Sequence, residues 1–370
     1  MSIFPPPDGQ PWPQLSPAEA GFDPHRLAEA TNFALAHETP WPRDLRAHLE
    51  DGFFERADDR AVIGPIAPRG GPNGLLLRGG RMVARWGDTR QQDYTFSVVK
   101  SYLSLCAGLA FDAGLITDLD EPVARTVRDG GFDSTQNREI TWRHLLTNTS
   151  EWEGTLFGKS DAIDRNRTLA AEGRGKKGER TLQAPGTYWE YNDVRVNRLS
   201  LALLRRHGRA IPDIFAERIM HPIGASDGWS WRGYSTSMVE VNGTLLESVS
   251  GGTHWGGGVC IHAEDQARVG LLAAHRGQWN GTRLISEHWF DLSLVPCPLN
   301  ESYGFLWWLN THRARMPAAP ANNFFASGAG GNLTWIDPVH DIVGVMRWMD
   351  PTAQNEFVRL VLAALRTKKS

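Results

Sequence analysis

Residues 97–111 read Ser-Val-Val-Lys-Ser-Tyr-Leu-Ser-Leu-Cys-Ala-Gly-Leu-Ala-Phe, an almost wholly apolar run whose single charge is Lys100. Residues 112–114 follow as Asp-Ala-Gly, and a glycine just after such a run is typical of a helix end. A helix that is apolar on nearly every side is usually a buried one. We therefore expect residues 97–111 to form a buried helix in the core of the fold.

Lys100 is unusual because this chain otherwise prefers arginine. Only six of the 39 basic residues are lysines, and Lys100 is the one that lies in an apolar segment. Burying an unpaired ammonium costs several kcal/mol and favours its neutral form. Lysine can release its proton at accessible pH, whereas arginine cannot. The pattern indicates a lysine that acts as a proton acceptor, unless its side chain reaches the surface or pairs with a distant carboxylate.

Ser97 stands three residues before Lys100, a spacing that places both side chains on one face of a helix. In the first helical turn the backbone N–H groups lack intrahelical acceptors and the helix dipole is positive. This arrangement supplies a hydroxyl nucleophile, an amine that takes its proton and a backbone donor for a developing oxyanion. Ser-x-x-Lys is a common chance pattern, but its place at the start of an otherwise uncharged helix favours a catalytic pair.

Strand and helix patterns surround this segment. Two apolar runs flank Gly79-Gly80 within residues 74–86, as expected for a β-hairpin. Later strand patterns occupy residues 303–309, 333–336 and 342–348, with a turn at Asp337-Pro338 between the last two. Helical patterns occupy residues 15–37, 140–147, 196–206, 263–276 and 354–365.

These patterns predict an α/β fold of the α+β type. An antiparallel sheet is built from N- and C-terminal strands and flanked by helices, and a mostly helical lobe is inserted between them. We expect residues 1–112 and 282–370 to form a discontinuous sheet domain and residues 113–281 to form the mostly helical domain. A ligand cleft is expected between the two lobes.

Composition excludes several classes of protein. With 370 residues and a net charge of −3, the chain lacks the basic balance of a nucleic-acid binder. The three cysteines are far apart in sequence, which argues against a disulfide framework or a thiolate zinc site. The histidines show no His-Glu-x-x-His spacing, so no metal is predicted. Neither a dinucleotide fingerprint nor a Gly-x-Ser-x-Gly elbow occurs, and we expect no cofactor and no α/β-hydrolase fold.

The N-terminal residues lack the basic and apolar regions of a secretory signal. No apolar run approaches the roughly 20 residues that a membrane helix needs. We therefore expect a cytoplasmic protein with neither membrane nor nucleic-acid partners.

Three motifs give the chain a family resemblance. Residues 97–100 (Ser-Val-Val-Lys), 191–193 (Tyr-Asn-Asp) and 328–332 (Gly-Ala-Gly-Gly-Asn) resemble the three motifs of the serine β-lactamase and penicillin-binding superfamily. The likeness extends from about residue 70 to 365. It is strongest to class C β-lactamases, their esterase relatives and the 6-aminohexanoate-dimer hydrolases. The resemblance implies a β-lactamase-like fold and a reaction that needs no cofactor.

The resemblance also implies roles for single residues. Ser97 would be the acylated nucleophile and Lys100 its proton acceptor. Tyr191 would relay protons to Lys100 and to the leaving group, with Tyr188 as the competing candidate. The second oxyanion N–H, beside that of Ser97, would come from Gly331.

Two positions depart from the family pattern. The family usually has asparagine where this chain has Asp193, and a carboxylate there could pair with Lys100. Where lactamases carry Lys-Thr-Gly, this chain has Gly328-Ala329-Gly330, which leaves no cation at that position to hold the carboxylate of a β-lactam. The predicted substrate-binding residues are Asp193, Gly328, Ala329, Gly330, Asn332, Trp152, His254 and Trp255. Trp189 and Trp307 are further candidates for the wall of an acyl pocket.

The resulting functional hypothesis is a serine hydrolase that forms an acyl-enzyme with a small ester or linear amide, its only predicted partner. A class C-like β-lactamase or DD-peptidase is the alternative within the same chemistry. A catalytically silent binding module is the alternative from another class, because Asp193 and the altered third motif both depart from the catalytic pattern.

Overall fold

The principal sheet is antiparallel and joins strands from both ends of the chain. A computed structural model describes residues 3–52, 57–167 and 178–366. Its strands are β1 (Asn73–Arg78), β2 (Arg81–Trp86), β3 (Asp93–Tyr94), β4 (Thr155–Leu156), β5 (Lys159–Ser160), β6 (Ser230–Val241), β7 (Thr244–Val249), β8 (Gly258–Ile261), β9 (Gln278–Trp279), β10 (Thr282–Arg283), β11 (Trp308–Leu309), β12 (Phe324–Gly328), β13 (Asn332–Asp337) and β14 (Ile342–Arg347). The main sheet has the order β11-β12-β13-β14-β1-β2. The predicted fold class, with an antiparallel sheet built from both termini, is confirmed.

Helices cover both faces of this sheet. They are α1 (Pro24–Ala36), α2 (Leu45–Gly52), α3 (Ala57–Arg60), α4 (Val98–Asp112), α5 (Trp142–Leu146), α6 (Asp193–His207), α7 (Ile211–Phe215), α8 (Ala263–Ala274), α9 (Glu287–Ser293) and α10 (Gln354–Ala363). None of the helices in the described ranges has the length and apolar character needed to cross a bilayer.

Alternation along the strands divides the core into two layers. Leu75 and Leu77 of β1 face the cluster that contains α4 and α8, whereas Leu76 faces the cluster that contains α1 and α10. Successive side chains of a strand point to opposite faces, so a fully apolar strand is expected where both faces are covered. The turn of the β1–β2 hairpin uses Gly79 and Gly80, with φ of 57° and 75°. The hairpin prediction is confirmed.

The strand prediction over residues 303–309 is wrong for most of its length. Only Trp308–Leu309 form a strand, and Leu306 has a left-handed φ of 60°, which interrupts an extended run. The pattern of bulky apolar residues reflects burial in a tight turn here. By contrast, the strands predicted at residues 333–336 and 342–348 are confirmed as β13 and β14.

The inserted segment contains strands as well as helices. A second sheet has the order β3-β8-β6-β7 and includes the long strand β6. Helix α8, which the predicted boundaries place in the helical domain, packs against β13 and β14 of the main sheet. The division of the chain into two domains stays a prediction.

The segment quoted first forms the helix that links both regions. Helix α4 is buried along almost its whole length and packs against β12 on one side and α6 on the other. Ser97 is its N-cap residue. The prediction of a buried helix is confirmed, and this helix carries Ser97 and Lys100 into the space between the sheet and α6.

Candidate active site

Ser97 lies at a strained junction. The preceding residue, Phe96, has a φ of 49°, a conformation that is uncommon outside glycine. Its ring packs edge-on against Trp41 and Trp348, at centroid distances of 5.4 and 6.2 Å. This packing holds the turn that leaves Ser97 half-buried at the start of α4. Among the described residues, the Ser97 N–H donates to no backbone carbonyl.

Lys100 meets Ser97 one helical turn away. Its Nζ lies 2.8 Å from Ser97 Oγ and 2.9 Å from the carbonyl oxygen of Gly251. The same Nζ lies 2.7 Å from Asp193 Oδ1, and the Lys100 side chain is only 2% exposed. Asp193 is the first residue of α6, so the packing of α4 on α6 brings the three side chains together. A buried amine therefore touches the hydroxyl.

A turn between β7 and β8 that contains Gly251 and Gly252 contacts both Ser97 and Lys100. Ser97 Oγ donates to the carbonyl oxygen of Gly252 at 3.3 Å. Gly252 has a φ of 72°, and a Cβ at this position would lie 2.1 Å from the carbonyl oxygen of Phe96. Only glycine allows the turn to approach the nucleophile this closely.

Asp193 also contacts two further side chains, those of Arg167 and His254. Arg167 Nη1 donates to Asp193 Oδ2 at 3.0 Å, and His254 Nδ1 lies 3.2 Å from the same oxygen. Burial would raise the pKa of Asp193, but the positive charges of Arg167 and Lys100 hold it well below its ordinary value. Arg167 also contacts Asp164 Oδ1 at 3.2 Å. The carboxylate that replaces the usual asparagine is thus ionised and has two cationic partners.

Of the two candidate tyrosines, the structure brings Tyr191 to Lys100. The centre of the Tyr191 ring is 5.1 Å from Lys100 Nζ, and the guanidinium of Arg167 lies 5.2 Å from the same ring. Tyr188 instead lies under Arg180, at 4.1 Å. Tyr191, rather than Tyr188, therefore lies beside the Ser97–Lys100 pair.

Aromatic rings pack around Tyr191. Trp308 stacks on Tyr191 with a centroid distance of 5.7 Å, and Tyr303 packs edge-on against Trp308 at 4.9 Å. Trp189 lies 5.5 Å from Tyr303. Burial raises the pKa of Tyr303 well above its ordinary value, so this phenol stays neutral.

The third motif approaches Ser97 through Gly328. A Cβ built on Gly328 would lie 3.0 Å from the backbone nitrogen of Ser97. One on Gly331 would lie 1.6 Å from the carbonyl oxygen of Met349. Gly330 similarly faces Trp348. The backbone that lies against the Ser97 nitrogen is therefore that of Gly328, and the assignment of the second oxyanion donor to Gly331 stays a prediction.

Several predicted substrate-binding residues have structural partners instead. Asn332 Nδ2 donates to the carbonyl oxygen of Ala329, and its Oδ1 accepts from Arg347 Nε. The indole N–H of Trp152 donates to the carbonyl oxygen of Gly131 at 2.7 Å. Two further candidate tryptophans are also packed inside the protein. Trp255 is fully buried beside Lys159, and Trp307 packs edge-on against Phe324.

One group beside the site has the spacing of a metal centre. Ligand atoms of Asp164, Asp193 and His254 lie within 4.8 Å of one another. Arg167 donates to both carboxylates, and Lys100 pairs with one of them. Because these cations already neutralise the carboxylates, a divalent ion would have to displace them. The arrangement fits an ion-pair network better than a metal site.

The sequence model of the Beta-lactamase family matches residues 78–363, which include all three motifs. The chain belongs to the β-lactamase family. A comparison with curated protein sequences gives no significant match.

Solved β-lactamase-fold structures resemble the whole chain at low sequence identity. A penicillin-binding protein homologue from Caulobacter crescentus is 14% identical, with a TM-score of 0.60, over 93% of this chain and 99% of that one. A proposed 6-aminohexanoate-dimer hydrolase from Bacillus anthracis is 14% identical, with a TM-score of 0.58, over 98% and 90%. A family VIII carboxylesterase is 17% identical, with a TM-score of 0.57, over 91% and 98%. At these identities the likeness establishes the fold.

Sequence reasoning missed three residues of this β-lactamase-family site. Arg167 and Arg315 have no motif of their own, and Trp308 was assigned only to a strand. The aspartate at position 193 was the available signal for Arg167, because a buried carboxylate requires a compensating cation. Arg315 donates to Ser327 Oγ at 2.9 Å and lies 4.1 Å from the centre of the Trp308 ring. Arg313 precedes it by two residues, so no sequence pattern sets Arg315 apart.

Proposed function

We propose that this chain is a serine hydrolase that acts on small esters or linear amides through an acyl-enzyme on Ser97. The observation that carries the proposal is the 2.8 Å contact between Ser97 Oγ and the buried Lys100 Nζ. A positioned amine at this distance is within reach of the hydroxyl proton. The N–H of Ser97 and the backbone at Gly328 flank the place where an oxyanion would form.

In the proposed reaction Ser97 Oγ attacks the carbonyl carbon and its proton passes to neutral Lys100. Tyr191 gives its phenol proton to the departing alcohol or amine as the bond to the leaving group breaks, and Lys100 passes the proton from Ser97 on to Tyr191. Backbone N–H groups of Ser97 and of residues 328–329 stabilise the negative charge on the carbonyl oxygen. Water then attacks the acyl carbon and gives a proton to Lys100. The bond to Ser97 Oγ breaks, Lys100 returns this proton to Ser97 Oγ, and the carboxylic acid leaves.

Asp193 requires an explanation within this mechanism, since a single carboxylate partner would hold the proton on Lys100. Arg167 donates to Asp193 as well, so the carboxylate keeps a cationic partner when Lys100 is neutral. The Lys100–Asp193 ion pair is also the observation that favours the second candidate, a binding module without catalysis. Chemical labelling separates the two.

Labelling with a fluorophosphonate, followed by peptide mass spectrometry, tests the nucleophile. We expect one adduct on Ser97, which disappears in Ser97→Ala. Ser104→Ala is the matched control, because Ser104 is buried in the same helix, and it should label like the wild type. The absence of an adduct on Ser97 would favour the binding module.

A substrate panel tests the reaction class. We expect hydrolysis of p-nitrophenyl butyrate or of a 6-aminohexanoate dimer, and slow turnover of nitrocefin because the third motif lacks a lysine. Rapid turnover of nitrocefin without activity on the ester or the linear amide would support the class C-like lactamase or DD-peptidase instead.

Replacing Arg167 with glutamine is expected to move the acid limb of the kcat/KM–pH profile upward by about one unit, equivalent to about 1.4 kcal/mol. The charge of Arg167 helps to hold the pKa of Asp193 well below its ordinary value, so without Arg167 this carboxylate takes up a proton at a higher pH. A protonated Asp193 loses its ion pair with Lys100, a contact that holds the amine beside Ser97. Measuring kcat/KM from pH 3 to 9 checks the shift.

Arg165→Gln is the control for this profile. Arg165 pairs with Asp161 at 2.8 Å and has no ion pair with Asp193. Its profile should match that of the wild type. A profile of Arg167→Gln that is unmoved, or displaced to lower pH, would contradict the role given to Arg167.

A further inference from the structure

His254 lies between two buried carboxylates beside Lys100. Its Nδ1 is 3.2 Å from Asp193 Oδ2, and its Nε2 is 3.7 Å from Asp164 Oδ1. A neutral imidazole carries one N–H, whereas an imidazolium carries two. Because each ring nitrogen faces a carboxylate oxygen, only the imidazolium directs an N–H toward both. The position of His254 therefore favours its protonated form.

The charges around His254 leave room for one further proton. Among the described residues, its charged neighbours are Asp164, Asp193 and Arg167, with Lys100 on the other side of Asp193. Burial would lower the pKa of Arg167, but the two carboxylates raise it above its ordinary value, so Arg167 stays charged. Two carboxylates thus face one permanent cation. Because an uncompensated buried charge is unfavourable, either Lys100 or His254 holds a proton as well.

Arg167 also touches His254, but its N–H groups are directed at the carboxylates. Its Nη1 donates to Asp193 Oδ2 at 3.0 Å and to Asp164 Oδ1 at 3.2 Å. These two bonds use both N–H groups of Nη1, so no donor is left for the 3.4 Å contact with His254 Nδ1. This ring nitrogen is therefore able to hold a proton of its own.

Asp193 links the two groups that can hold the further proton. Its Oδ1 lies 2.7 Å from Lys100 Nζ, and its Oδ2 lies 3.2 Å from His254 Nδ1. A proton that leaves Lys100 can reach His254 through this carboxyl group without any change in total charge. The His254 side chain is 9% exposed and that of Lys100 only 2%, so the imidazole is the one closer to solvent.

His254 belongs to the turn that contacts the nucleophile. Carbonyl groups of this turn, between β7 and β8, accept hydrogen bonds from Ser97 and Lys100. The Tyr234 phenol is hydrogen-bonded to Thr253, next to His254, and burial raises the pKa of this phenol well above its ordinary value. Tyr234 is therefore neutral and adds no charge to the balance around His254.

We propose that Lys100 and His254 share one proton, and that Lys100 acts as the base in those molecules in which His254 holds it. This regulation rests on the hydrolase function proposed above. The proton leaves Lys100 Nζ and arrives at a ring nitrogen of His254, while Asp193 ends ionised as it began. Two sites coupled in this way titrate as a pair. His254 is a positioning residue, because it acts through Asp193 and Lys100.

Replacing His254 with glutamine tests the shared proton through the pH dependence of kcat/KM. Without the imidazole the proton stays on Lys100, so we expect kcat/KM for the better substrate of the panel to fall by about 10- to 100-fold at pH 7. It should recover toward the wild-type value near pH 10, where a lysine amine loses its proton to solvent. His254→Lys places a cation at this position and should keep at least about a third of the wild-type value at pH 7.

His207→Gln is the control for these profiles. His207 ends α6, the helix that Asp193 begins, and its Nε2 lies 3.2 Å from the carbonyl oxygen of Cys106. Its kcat/KM should stay within about threefold of the wild type at every pH. A loss in His254→Gln that is equal from pH 6 to 10, or no loss, would overturn the shared proton. The hydrolase proposal would survive that result if Ser97 is still labelled.

Nuclear magnetic resonance of the imidazole nitrogens tests the proton independently of catalysis. In Lys100→Met the amine is absent, so His254 should hold both ring protons at pH 8, where an exposed imidazole is neutral. The His254 signals are identified by their loss when His254→Gln is added to Lys100→Met. A neutral His254 at pH 8 would overturn the proposal even if no substrate is hydrolysed. A doubly protonated His254, without labelling of Ser97 in the wild type, would support the charge balance and refute the hydrolase.

Discussion

Replacing Lys100 with arginine is expected to lower kcat for ester hydrolysis by about 10³-fold, within the range for loss of a general base. Arginine keeps the positive charge and can still bond to Asp193. It cannot accept the proton of Ser97, because its guanidinium does not deprotonate in proteins. The variant therefore separates proton transfer from charge pairing. Steady-state kinetics at pH 8, with the thermal unfolding midpoint as a check on folding, measures the effect.

Lys159→Arg is the comparison for this variant. Lys159 is buried as well, and its Nζ donates to the carbonyl oxygen of Asp59. Its kcat should stay within about threefold of the wild type. If Lys100→Arg kept more than about a tenth of the activity while Lys159→Arg was unaffected, Lys100 would not be the base, and the proton of Ser97 would have to go elsewhere.

The meeting of Ser97 and Lys100 could be predicted because it depends on local geometry. Two residues three apart in a helix share a face whatever the rest of the chain does. The hairpin was predictable for the same reason, since the Gly79-Gly80 turn sets its own pairing. The pairing of Asp193 with Lys100 was a conditional expectation, and the packing of α4 on α6 realises it at 2.7 Å.

Features that depend on tertiary packing could not be predicted from the sequence. Arg167 lies 26 positions from Asp193 and Arg315 lies 12 from Ser327, and no periodic pattern links these partners. Trp152 and Trp255 were near motifs in sequence, but core packing turned their rings to other partners. Proximity along the chain is a poor guide to which aromatic ring reaches a cleft, because the intervening loops decide its direction.

The sequence could not predict which glycine of the third motif, Gly328 or Gly331, lies against Ser97. Both glycines belong to one short motif, and either could have supplied a backbone donor. The register of β12 against β13 pairs Gly328 with Asn332 and sets Gly328 at the start of α4. A motif identifies the segment that approaches the nucleophile, while strand register decides which of its residues arrives there.

Substituting Gly328 with alanine is expected to lower kcat/KM by about 10²- to 10³-fold, the range for loss of an oxyanion-hole donor. Gly328 has φ of −132° and ψ of 156°, so alanine meets no backbone strain. The new Cβ would lie 2.1 Å from the carbonyl oxygen of Thr95 and 3.0 Å from Ser97 N. Relieving this clash must move β12 or the start of α4, which separates the proposed donors.

Gly344→Ala distinguishes this local effect from a general loss of stability. A Cβ at Gly344 would lie 3.0 Å from the Trp335 ring and 3.1 Å from Leu76, within the main sheet and away from Ser97. Both variants should unfold at lower temperature than the wild type, since each introduces a methyl group into a packed site. Only Gly328→Ala should lose activity per folded molecule, measured by normalising kcat/KM to the folded fraction of each variant at the assay temperature, taken from its thermal unfolding curve. The added Cβ cannot be accommodated unless the backbone at residue 328 moves relative to Ser97 N. A fully active Gly328→Ala would therefore show that the backbone at residue 328 does not shape the oxyanion site.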